Sequence, residues 1–245
     1  PPISPAGTRL SLRLPPTRAF TLDELIARRS LTSEGATLLR AVVSSRVAFL
    51  VTGGTGTGKT TLLSSLLSLA DPGERLVLAE DTQELRPEHP HVVGLHTRPA
   101  NIEGRGEISL DTLVRQALRM RPDRLVVGEA RGPEVVSLLS ALNTGHEAGA
   151  GTLHANSAQD VPARVEALAC AAGLDRAAAH SQLAATGALV LHLAPGRRLA
   201  EIALLRQNPD GVVEARTAVS FDPDGSCHEH GAATDQLLTR VGVAR

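Results

Sequence analysis

Between residues 47 and 172 the chain alternates short, mostly apolar runs with longer stretches whose apolar residues return every third or fourth position. The first pattern is that of a strand buried on both faces, the second that of a helix with one face on a core. Runs at 47–52, 76–80, 92–97, 125–127 and 151–154 read as strands. Helices are expected over 59–69, 109–120, 133–142 and 157–172. In the second of these, Leu110, Leu113, Val114 and Leu118 recur at helical spacing behind Ser109, a residue suited to capping. Ser157 and Asp160 stand at the start of the last. This alternation implies an α/β fold with an open, mostly parallel sheet and helices on both faces.

Ahead of that unit, Thr21 and Glu24 form a capping box that opens a short helix over 22–29, and a second helix is expected over 34–45. Residues 1–18 are rich in Pro and Ser, with a strand expected over 9–14. A chain opening on Pro1 reads as a fragment or a processed product. After Gly187 the pattern changes to strands, separated by turns at Pro195-Gly196 and Pro209-Asp210-Gly211.

Composition narrows the classes. The 245 residues suffice for one large α/β domain, or one with part of a neighbour. No apolar run reaches the roughly 20 residues of a membrane-spanning helix, and no secretory signal opens the chain. Cys170 and Cys227 do not make a disulfide framework, which fits a reducing, cytoplasmic setting. A formal net charge of −1 and only three Phe, with neither Tyr nor Trp, speak against a nucleic-acid channel, which uses basic grooves and stacked aromatics. Arginine supplies nearly all positive charge; the sole lysine is Lys59.

That lysine lies in Gly53-Gly54-Thr55-Gly56-Thr57-Gly58-Lys59-Thr60-Thr61, which fits the phosphate-binding pattern G-x-x-x-x-G-K-[ST]. A strand feeds it and a helix leaves it, as the pattern requires. Glycines let backbone N–H groups curl around phosphate oxygens, and the helix N-terminus adds partial positive charge. Lys59 is expected at the β/γ phosphates of ATP, and the Thr60 hydroxyl in the shell of a Mg2+ ion. Arg124-Leu125-Val126-Val127-Gly128-Glu129 has the apolar strand of a Walker B motif, with Gly128 where many such enzymes carry Asp. Glu129 then stands alone at the strand end, either to polarise the attacking water or to pair with Arg131. Glu80, Asp81 and Glu84 follow another strand, at the sheet edge where ligands bind or in a solvated loop. His154 ends a further strand and is open to a structural or a catalytic reading. Cys227-His228-Glu229-His230 lacks a fourth ligand at zinc spacing.

Together these segments resemble the type II/IV secretion-system ATPase superfamily: Walker A at 53–60, an acidic Asp box at 76–85, a Gly-Glu Walker B at 124–129 and a His box around 154. The stretches 98–108 and 118–124 look like the tight-adherence (Tad/Flp) pilus branch, whose members are also described as conjugal-transfer-associated. The resemblance implies a P-loop NTPase (RecA-like) motor domain at 19–205. Residues 1–18 become the closing strand and linker of a mostly absent N-terminal domain, and 206–245 a β-rich tail matching no motif. It further implies Glu129 as general base, with Glu80 and Glu84 near the metal and the water. His154 becomes a γ-phosphate sensor or interdomain contact, and Arg98 or Arg105 reaches a neighbouring nucleotide in a homo-hexamer. The implied partner is an inner-membrane platform protein, with the motor cytoplasmic and peripheral to that membrane. Conjugal DNA transfer, protein secretion, a helicase-type motor and a nucleotide switch without turnover are the competing readings.

Overall fold

The computed structural model describes residues 18–143 and 148–243. Along the first stretch run α1 (Leu22–Ala27), α2 (Ser33–Ser44), β1 (Phe49–Gly53), α3 (Lys59–Leu67), β2 (Leu76–Glu80), β3 (Val92–His96), α4 (Leu110–Leu118), β4 (Arg124–Ala130) and α5 (Glu134–Asn143). The second holds β5 (Ala150–Leu153), α6 (Val161–Ala171), α7 (Arg176–Thr186), β6 (Leu189–Ala194), β7 (Arg198–Gln207), β8 (Val213–Phe221), β9 (Cys227–Glu229) and α8 (Ala232–Arg240). The strand expected at 9–14 and the reading of 1–18 lie mostly outside the described residues.

The described strands form one nine-stranded sheet in the order β3-β2-β4-β5-β1-β6-β7-β8-β9. From β3 to β6 neighbours run parallel, and from β6 to β9 antiparallel. Successive side chains of a strand face opposite ways, and β1 shows the consequence. Phe49 and Val51 join the core beneath α1, α2, α3 and α8, whereas Leu50 joins the core beneath α4, α5, α6 and α7. A sheet covered on both faces needs apolar residues throughout its strands, and β1, β2 and β5 are buried end to end. No described helix is long and apolar enough to cross a membrane.

Where the expected elements differ from the structure, the differences are local. The capping box closes as read, Thr21 Oγ1 accepting from the Glu24 N–H at 3.1 Å and the Glu24 carboxylate from the Thr21 N–H at 2.9 Å. The helix expected from 157 begins at Val161, because Ser157 Oγ accepts the Asp160 N–H in a turn and the Asp160 side chain caps nothing. Helices α7 and α8 were not expected. The boundary expected at 205 falls inside β7, and β8, β9 and α8 extend the same sheet and core. β4 runs on to Ala130, so Glu129 sits within the strand, where the pairing with β5 shifts register between Val127 and Ala130.

At the amino ends of the parallel strands lies a buried ion pair. The Arg124 guanidinium, 2% exposed, bonds the Glu74 carboxylate and donates to the Val43 carbonyl at 2.8 Å. Arg46 reaches the same carboxylate from solvent.

Candidate active site

The opposite, carboxyl edge carries the predicted site residues. β1 delivers the glycine loop, and its first residue has to be glycine. At Gly53 φ is 146°, and a Cβ there would stand 2.5 Å from the Leu193 carbonyl oxygen and 2.7 Å from Thr57 Oγ1. Thr57 Oγ1 also donates to the Gly54 carbonyl at 2.9 Å, closing the loop on itself. Helices α1, α2, α4 and α7 are capped by Thr21, Thr32, Ser109 and Asp175; α3 begins at Gly58 with no side-chain cap, and α6 and α8 also lack one. The first N–H groups of α3 and the positive end of its dipole are left for an anion. Lys59 is buried, and its Nζ donates to the carbonyls of Gly53 at 3.0 Å and Gly54 at 2.8 Å. Burial pulls the Lys59 pKa below the ordinary lysine range, and the nearby Glu129 charge opposes that.

β2 ends in Glu80, only 3% exposed. Its Oε1 accepts the N–H groups of Glu84 at 3.0 Å and Leu85 at 2.9 Å, while Oε2 is buried without a hydrogen-bond partner. Burial raises this carboxyl pKa, and the two N–H groups hold it down only in part. The neighbouring strand explains the bare Walker B position. A Cβ on Gly128 would stand 2.7 Å from Glu80 Cγ, so the glycine leaves room for a carboxylate arriving from β2.

Glu129 pairs with His154 just past β5, Nε2 to Oε1 at 2.6 Å. On its other side His154 Nδ1 lies 3.5 Å from Lys59 Nζ. One neutral tautomer serves both contacts, with Nδ1 accepting from the ammonium and Nε2–H donating to the carboxylate. Lys59, His154 and Glu129, from three neighbouring parallel strands or the loops that follow them, thus form a line. The alternative pairing of Glu129 with Arg131 is not what the structure has: Arg131 bonds Asp81. Thr60 Oγ1 donates to Glu84 Oε2 at 3.4 Å.

These groups surround an open cavity of about 560 Å³, a size that admits a nucleotide. Thr55, Gly56, Gly58, Lys59, Thr60 and Thr61 form one wall, Glu80, Asp81, Thr82 and Glu84 another, and Gly128, Glu129, Arg131, Thr152 and His154 a third. Arg98 and Arg105 do not line it. They sit on an exposed loop after β3, held by an Arg98–Ile108 bridge and by Asn101 Oδ1, which accepts the N–H groups of Glu103 and Arg105. Thr97 N donates to the Glu80 carbonyl at 3.0 Å, so the loop leaves from the same edge of the sheet. Arg197, in the turn between β6 and β7, also lines the cavity. Sequence reasoning passed over it; the available signal was its position beside the turn at Pro195-Gly196, right after a strand.

The oxygens here suit Mg2+. Thr60 and Glu84 supply hard donors beside the P-loop, and the unpartnered Glu80 Oε2 is buried close by. Among the described residues no group of His, Cys, Asp or Glu is arranged to hold a metal alone. Mg2+ instead keeps its waters and binds through one or two protein oxygens plus substrate phosphates.

A mostly parallel α/β sheet whose first core strand feeds a lysine-bearing glycine loop and an uncapped helix defines the P-loop NTPase class. The family model described as type II/IV secretion system protein matches residues 2–240, and the chain belongs to that family. A Mycobacterium tuberculosis protein, named provisionally for conjugal transfer, is 53% identical over 247 residues, spanning 99% of this chain and 70% of its own. The fold is similar to the VirB11 ATPase of the Brucella suis type IV secretion system, with a TM-score of 0.54 at 22% identity over 93% of this chain and 68% of that one. It is also similar to the pilus retraction motor PilT with bound ADP, with a TM-score of 0.55 at 22% identity over 94% of this chain and 58% of that one.

Proposed function

We propose that the chain is an ATP-hydrolysing motor for pilus assembly or secretion, acting through a platform protein at the inner membrane from the cytoplasmic side. The observation that carries this is the line Lys59–His154–Glu129 along one cavity with the uncapped start of α3. Phosphate oxygens of ATP bind the first N–H groups of α3, and Lys59 exchanges its two loop carbonyls for the β/γ phosphates. Glu129 accepts a proton from the water that attacks the γ-phosphorus as the bond to the β-phosphate oxygen breaks. His154, hydrogen-bonded to Glu129 and near Lys59, links the state of the γ-phosphate to the base. Thr60, with Glu80 and Glu84 nearby, would hold Mg2+, which would supply positive charge against the phosphates.

Conjugal transfer is the second reading, favoured by the name of the mycobacterial relative. The net charge of −1 and the scarcity of aromatics argue that even there the chain does not grip DNA itself.

Glu129→Gln keeps the shape and the contact with His154. It is expected to bind ATP normally and lose roughly 10²–10⁴ in turnover. Failure to bind nucleotide would instead give Glu129 a binding role. The loop carrying Arg98 and Arg105 stands clear of its own cavity, and we assign it to a neighbouring subunit's γ-phosphate in a hexameric ring. Mixing an Arg98→Ala/Arg105→Ala protein with Glu129→Gln tests that geometry. Mixed rings are expected to regain activity that neither parent has, and mixed rings without recovery would refute it.

A further inference from the structure

The strand that bears the P-loop has neighbours on both sides, and only one of them enters the proposed chemistry. On the β5 side stand His154 and, one strand further, Glu129. On the other side β6 runs beside β1, with Gly53 in register with Leu193, and its turn emerges beside the P-loop. That turn carries Arg197. The arginine borders the main cavity and also a smaller one of about 80 Å³ whose walls include Thr61, Leu62 and Leu193. Its stem lies on the glycine that opens α3, for a Cβ on Gly58 would stand 3.7 Å from Arg197 Cβ.

Two features mark Arg197. Its exposed guanidinium has no ion-pair or hydrogen-bond partner among the described residues, although most cavity-lining charges have one. Its backbone sits at φ 62°, in the left-handed region that a Cβ disfavours. Arg29, Arg46 and Arg121 also adopt positive φ, but each follows the end of a helix, where such a residue commonly terminates the turn. Arg197 instead closes the tight turn between β6 and β7, a hairpin position that calls for positive φ and that glycine fills more readily than arginine.

We propose that Arg197 is a nucleotide ligand that binds the phosphate nearer the nucleoside, from the side of the P-loop opposite Glu129 and His154. This rests on reading the main cavity as a nucleotide site. An arginine so placed meets phosphate oxygens with a planar fork of donors, in ADP as much as in ATP. It holds the substrate without following the charge that develops at the γ-phosphorus, so it governs affinity rather than the chemical step.

Arg197→Gly separates ligand from scaffold, because glycine suits the left-handed backbone. The variant is expected to melt no lower than wild type, to bind ADP roughly tenfold to a hundredfold more weakly in calorimetry, and to show a raised KM for ATP with kcat nearly unchanged. Arg197→Lys, keeping the charge but not the fork, is expected between the two. ADP binding by Arg197→Gly equal to that of wild type would overturn the assignment, and so would a loss confined to kcat. A folded wild-type chain that binds neither ADP nor ATP would overturn the nucleotide site itself, and this inference with it.

Discussion

Two glutamates bracket β2, and they have been treated in opposite ways. Glu74, before the strand, is buried against Arg124 with Arg46 closing over it, so a cation answers its charge. Glu80, at the other end, is as deeply buried but has only two backbone N–H groups on one oxygen and nothing on the other. At the amino edge the buried Glu74 charge is thus met from within, although Arg75 Nε there is also buried without a partner, while the carboxyl edge keeps an unmatched carboxylate, an uncapped helix and a lysine held by carbonyls. A buried polar group is ordinarily paired, and what sets Glu80 apart is that its unpaired oxygen belongs to a residue in the wall of the cavity, where a partner can arrive from outside. Polar burial serves the fold at one edge and the proposed chemistry at the other.

Breaking the amino edge has the largest effect on stability. Glu74→Ala strands the Arg124 cation with one carbonyl, which costs about 3–5 kcal/mol. The melting temperature is expected to fall by roughly 6–20 °C, with nucleotide affinity of the folded fraction unchanged. A stable variant with weakened nucleotide binding would erase the distinction between the edges.

The carboxyl edge responds in the opposite sense and more weakly. Folding raises the Glu80 pKa, so the folded chain holds that proton more tightly than the unfolded one. Stability therefore declines as pH rises through the raised value, and the cost is complete above it. Glu80→Gln removes the cost. Its melting temperature is expected to exceed that of wild type at neutral pH, with the gap closing as pH falls to the ordinary carboxylate range. A variant that melts lower at every pH would make Glu80 a scaffold residue like Glu74.

Much of the fold was legible because its signals are local. β2 was read at 76–80 and found there, and Ser109 caps α4 as its position implied, Oγ accepting the Thr112 N–H at 3.3 Å. α7 was missed for a physical reason: it buries Ala179, His180, Leu183 and Thr186, of which only Leu183 is a large apolar residue. α8 likewise buries Thr234 and Leu237 alone. The pairing of Glu129 with His154, and of Asp81 with Arg131, depends on strand order, which no local pattern records. The same holds for Gly128. Its apparent lack of a carboxylate makes sense only once β2 is seen to lie beside β4 and to fill the gap with Glu80. Arg197 carried only the weak signal of a turn, because its place beside the P-loop comes from the pairing of β6 with β1.

The central claim is that the carboxyl-edge cavity binds and hydrolyses ATP through Lys59. Its most direct measurement is ATP turnover and calorimetric nucleotide binding by purified wild type and Lys59→Ala, with folding of both checked by thermal melting. Wild type is expected to bind and hydrolyse ATP, and Lys59→Ala to keep its fold, bind far more weakly and lose turnover, since a charge-assisted phosphate contact goes from inside the pocket. Turnover retained by a folded Lys59→Ala protein would contradict the account.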